Sequence, residues 1–257
     1  AGLIASNADL RLQAGELSNR EGTVQAAGDA RLTLNRLDNL AGEVVAGDSL
    51  ELDVQDELDN SQGQLVAESD LSVSANRLDN TQGLMGAVQG SLEVAADTVD
   101  NTQGRIEAAN GLRLDVADTL TNEAGEIVQL SDGAELQIDA TTLHGSDGLM
   151  LSQGALTLEG REVVLDGART QAQRIVLQAE SLSHRGGERL HLGSDSPLSL
   201  DVTQALDNTQ GLIASNADLT LRTGELINRE GTVQAAGDAL LSLNELDNHA
   251  GEFVAGD

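Results

Sequence analysis

No Cys, Trp, Tyr or Lys occurs in this sequence, and Phe and Pro occur once each in 257 residues. The lack of Cys excludes disulfides and thiolate metal sites and leaves the compartment open. The near-absence of aromatics means that Leu, Val, Ile and Ala must fill any core, which suits a narrow, regular interior better than an irregular globular one. No apolar run approaches the roughly eighteen residues a membrane-spanning helix needs, and no secretory leader is recognisable. Basic residues are scarce too: 14 Arg stand against 43 Asp and Glu, for a formal charge of −29. An excess of that size repels nucleic-acid phosphates and anionic membranes, and keeps a long particle from self-association.

What the sequence has in abundance is repetition. Leu-Asp-Asn occurs at 37–39, 58–60, 78–80, 206–208 and 246–248, with variants at 17–19, 99–101, 120–122 and 226–228. Three residues after each Asn stands a glycine: Gly22, Gly42, Gly63, Gly83, Gly104, Gly125, Gly211, Gly231 and Gly251. Neighbouring glycines are 20 or 21 residues apart, apart from the interval between Gly125 and Gly211. Two residues after the Gly comes an aliphatic column that includes Val24, Val44, Leu65, Met85, Ile106 and Ile127, and four after it an Ala column from Ala26 to Ala108.

Within a unit the pattern alternates with period two and is broken by short turns. Val24 and Ala26 alternate with Thr23 and Gln25, Gly28-Asp29 reads as a turn, and Leu32 and Leu34 alternate with Arg31 and Thr33. A twenty-residue unit of two or three short strands cannot bury its apolar face alone, whereas a stack of such units can. The predicted fold is therefore all-β, a right-handed parallel β-helix (solenoid) of about 12 coils of 20–21 residues, forming a rod of roughly 60 Å. Helical repeats and a leucine-rich horseshoe fit less well, because no helical face accompanies the Leu-x-Leu segment. The solenoid divides into regular coils at 1–124, divergent coils at 125–205 and regular coils at 206–257. A longer duplication overlies the short one, since residues 1–48 match 210–257 at 38 of 48 positions. The pattern is already under way at Ala1 and still running at Asp257, and the chain is read as a piece of something longer.

The Gly-x-aliphatic-x-Ala segment followed by Leu-x-Leu and Leu-Asp-Asn resembles the filamentous haemagglutinin repeats of large two-partner-secretion exoproteins. These include filamentous adhesins and contact-dependent growth inhibition proteins that carry a toxin on a long stick. The likeness is strong over 1–130 and 205–257 and weak between. It implies a secreted protein at the bacterial cell surface, exported through an outer-membrane transporter, and it brings no catalytic residues.

The most specific signal is the Asn column: Asn19, Asn39, Asn60, Asn80, Asn101, Asn122, Asn208, Asn228 and Asn248. Amides stacked at the ~4.8 Å coil spacing can bond to one another and to turn carbonyls, a structural role. The glycines are expected either to take positive φ or to permit close backbone approach. The neighbouring acids Asp38, Asp59, Asp79, Asp100, Asp207 and Asp247 read as solvated turn residues, with a calcium edge as the alternative. The calcium-binding nonapeptide repeat is missing. His144, His184, His191 and His249 share no ligand spacing and read as surface turn residues.

Between 125 and 205 the Asn column lapses, and three of the four His, Pro197 and the stretch Arg185 to Arg189 fall there. This segment is expected to continue the helix with altered turns, as a spacer or, through His184, Arg185, Arg189 and His191, as a partner-binding surface. Three functions compete: a structural stalk, a receptor-binding segment and a polysaccharide-cleaving β-helix enzyme. The enzyme reading is weakest, because the sequence has no Trp or Tyr to stack on a sugar, no Lys, and acids that are spread evenly. The favoured reading is a non-enzymatic, monomeric stalk without metal or cofactor, bound by neither nucleic acid nor membrane, whose partners are the secretion transporter and a target-cell receptor.

Overall fold

The computed structural model describes residues 2–256. Twenty-five strands and no helix make up the described chain. Thirteen four-residue strands form one sheet, and twelve strands of nine or ten residues form the other. Every pairing is parallel and joins one coil to the next, so each sheet runs unbroken along the molecule. This is a parallel β-solenoid of about thirteen turns, close to the dozen expected.

The period-two alternation explains the strands directly. In the coil that starts at Gly22, Val24 and Ala26 point inward from the short strand, and Leu32, Leu34 and Leu37 point inward from the long one. The columns run in register from coil to coil: Val24 pairs with Val44, Val44 with Leu65, Leu65 with Met85, Met85 with Ile106 and Ile106 with Ile127. Like residues thus stack on like at the ~4.8 Å parallel spacing, and the interior fills without aromatics.

The long strands are bent. In Leu50–Asp59, Leu50, Leu52 and Val54 face inward, Gln55, Asp56 and Glu57 lie outside the core, and Leu58 returns to it. The 20-residue coil turns this corner with two outward residues, Asn35 and Arg36, and the extra residue of the 21-residue coil enters here as a bulge against the coils on either side. In the coil after Gly83 the extra residue sits instead in the turn between Ala87 and Leu92. Coil length varies at corners and turns, and the interior columns keep their register. At the two ends each column lacks one neighbour, and Ile4 and Leu246, whose register partners Val24 and Leu226 are fully buried or nearly so, are 36% and 50% exposed.

Candidate functional site

The turn that closes each regular coil is built around the Asn. Asn39 is fully buried, and its amide nitrogen donates to Gly42 O at 3.2 Å and to Asn60 Oδ1 of the next coil at 2.7 Å. The same coil-to-coil bond joins Asn19 to Asn39, Asn60 to Asn80, Asn80 to Asn101 and Asn101 to Asn122, all at 2.7 to 2.8 Å. A second run joins Asn208 to Asn228 and Asn228 to Asn248. Each interior amide accepts from the coil before and donates to the coil after, so the polar group is buried without loss of hydrogen bonding.

The glycine three residues on serves close approach rather than positive φ. A Cβ at Gly42 would stand 2.1 Å from Asn19 O and 2.6 Å from Asn39 Oδ1. The left-handed residue is the one before it: Glu21, Ala41, Gln62, Gln82, Gln103 and Ala124 have φ between 49° and 57°. The Asp residues also do more than face solvent. Asp59, Asp79 and Asp100 are half-buried and accept the backbone N–H two residues on at 2.9 Å, which caps the turn. No group of three His, Asp or Glu residues among the described residues is placed to hold a metal.

In the divergent coils the column reads Asn122, Gly145, Leu165, His184, Asn208. Leu165 is fully buried and fills the space over Gly145, where a Cβ would lie 2.8 Å from its Cδ2. With no amide at 165, Ala168 is accommodated where regular coils require Gly. His184 then takes the Asn position. Its Nδ1 lies 2.9 Å from Asn208 Oδ1. The Asn208 amide nitrogen is committed to Gly211 O and Asn228 Oδ1, so Asn208 Oδ1 accepts and His184 Nδ1 carries the proton. Burial, reinforced by the charge of Arg189, lowers the His184 pKa to about 3.

His191 stands in the Ala column between Ala172 and Ser215, and its Nδ1 lies 2.9 Å from Ser215 Oγ. Burial lowers its pKa as well. Arg189 replaces the aliphatic residue of the other short-strand column, between Thr170 and Ile213, and is fully buried. The expectation that His184 and His191 are surface turn residues is therefore corrected, because both lie inside. Of the four residues read as a partner-binding surface, three point into the core. Arg185 alone faces solvent, beside Asp166 and Asp207 at 3.3 and 3.5 Å. The signal was present in the spacing: counted from Gly187, His184, Arg189 and His191 occupy the offsets of the Asn, aliphatic and Ala columns.

On the outer face, a shallow hollow of about 430 Å³ opens beside Gly160 where the long strands turn. Asp139 and Glu159 pair in register there, and Arg161 bonds Glu180 at 3.0 Å. It lies on the divergent segment and presents chiefly acids.

What recurs from coil to coil is packing, capping and amide stacking, and this defines an elongated structural repeat protein. The haemagglutinin repeat family matches residues 1–62, 45–90, 87–210 and 189–250, and the chain belongs to that family. Among curated proteins, Deoxyribonuclease CdiA of Dickeya dadantii is 32% identical over 119 residues, which is 46% of this chain and 3% of that protein. No solved structure matches the chain.

Proposed function

We propose that the chain is a length of shaft in a large two-partner-secretion exoprotein, a rigid spacer that holds other regions away from the cell surface. The observation that carries this reading is that each repeated polar residue is spent on the neighbouring coil or its own turn: Asn80 on Asn101, Gly83 and Arg105, Asp79 on Thr81. Little in the recurring unit is left over for a ligand. Kinship with a nuclease of which the matching stretch is 3% supports a small piece of a very long protein whose catalysis lies elsewhere. On this reading the segment is a non-catalytic monomer, secreted through an outer-membrane transporter and displayed outside the cell. It divides into regular coils at 1–124 and 206–257 and divergent coils at 125–205. A receptor-binding role for the divergent coils is weaker, since His184, Arg189 and His191 are inside.

The test is an in-register deletion in the secreted exoprotein. Removing Gly22 through Ala41 sets Glu21, φ 51°, in the place of Ala41, φ 50°, before Gly42. Secretion and target-cell attachment should persist, with the shaft shorter by about 5 Å. Loss of attachment from this deletion contradicts the spacer reading.

A further inference from the structure

Six buried side-chain polar atoms lack a hydrogen-bond partner among the described residues: Thr170 Oγ1, His184 Nε2, His191 Nε2 and all three nitrogens of the Arg189 guanidinium. They belong to two successive coils of the solenoid. Thr170 and Arg189 are register partners on adjacent short strands. Arg189 and His191 are alternate residues of the strand Glu188–His191, both facing in. His184 closes the turn before that strand, with Nε2 2.8 Å from where a Cβ at Gly187 would stand.

An interior guanidinium offers five N–H donors and does not give up its proton near neutrality. A buried charge without a counter-charge is strongly unfavourable, and native interiors pair such groups. The nearby acids are engaged on the outside: Glu188 pairs with Arg169 at 3.3 Å, and Asp166 with Arg185. On the next coil Arg189 is covered by Ile213. Water would supply hydrogen bonds but no charge, whereas an anion supplies both. The narrow spacing between coils, ~4.8 Å, favours a monoatomic one.

We propose that the interior at Arg189 binds a single halide-class anion, held by the guanidinium N–H groups and the Thr170 hydroxyl. The Nε2 atoms of His184 and His191 become further donors to it when protonated. The anion fastens the divergent coils at the level where the amide column is interrupted, so their stability becomes conditional on it.

The test uses the 257-residue chain in sodium chloride, sodium bromide and sodium isethionate at equal ionic strength, so that screening of the acidic surface is constant. A ligand that binds only the folded state raises its melting temperature. Chloride or bromide should do so by about 3 °C per tenfold increase above the dissociation constant, and isethionate should not. Arg189→Ile, which places the residue of the next coil's column there, should fold and lose the halide response. Thr170→Val should weaken it. Crystals grown in bromide should show an anomalous peak beside the guanidinium. An equal halide response in the native chain and Arg189→Ile, or a bromide crystal with only water beside Arg189, overturns the proposal.

Discussion

The regular coils at 1–124 and the divergent coils at 125–205 share a backbone and differ in what fills the interior columns, the amide column above all. In both, the residue that turns the coil has a left-handed φ: Gln82 and Gln103 in the first region, Asp147, Gly167 and Gly186 in the second. In the first, the column is an unbroken run of amides. In the second, Gly145, Leu165 and His184 take its place, each with a compensating neighbour: Leu165 over Gly145, Ala168 after Leu165, Asn208 beside His184. The solenoid path is therefore set by the turn and the alternation, and the column is a replaceable fitting whose members change in sets.

The sharpest way to break this comparison is to mix the sets. Gly83→Ala puts a Cβ 2.3 Å from Asn60 O and 2.6 Å from Asn80 Oδ1, and should cost about 4 kcal/mol or more in denaturant unfolding. Ala168→Gly, at the same place in a coil without the amide, should cost only about 1 kcal/mol. Similar costs would mean that the Asn and its Gly are not coupled.

Acid should separate the regions next. His184 has a folded pKa of about 3, below its ordinary 6.5, so the unfolded chain binds its proton first. The stability from keeping it neutral is complete above pH 6.5 and is lost as pH falls toward about 3. In halide-free buffer the loss should reach about 3 kcal/mol by pH 4.5, relative to His184→Asn, measured by urea unfolding across that range. The groups bearing on this titration are Arg189, which opposes protonation, and Asp166, which favours it. A native chain that matches His184→Asn across this range would contradict the buried placement.

A smaller effect tests the regular coils alone. Asn80→Ala takes away the donor to the buried Asn101 Oδ1 and one acceptor of the Asn60 amide, and should cost about 2 kcal/mol. Asp79→Ala loses only the cap on Thr81 N and should cost about 1 kcal/mol. Equal values would remove the distinction between column and cap.

Most of the regular architecture was legible, because alternation and fixed offsets from Gly translate directly into inward columns. The glycine's role stays between two options in the sequence, since the residue that takes positive φ is Glu, Ala or Gln, types with no left-handed signature. Asp79 reads as solvated because its capping bond is local and leaves no trace beyond the Asp itself. The interior positions of His184, Arg189 and His191 were missed because residue type spoke for the surface, although their offset from Gly187 spoke for the core. Offset outranks residue type here, because a solenoid cannot turn one side chain outward without slipping its strand.

Hydrogen exchange of backbone amides, followed peptide by peptide, tests the central comparison most directly. Opening free energy follows local packing and bonding. Exchange should be slow at the turns around Asn39, Asn60, Asn80 and Asn101, and faster at the turns around Gly145 and Leu165, where the amide column is interrupted. Uniform protection along the interior coils, or stronger protection at Gly145 and Leu165 than at the Asn turns, would contradict that comparison.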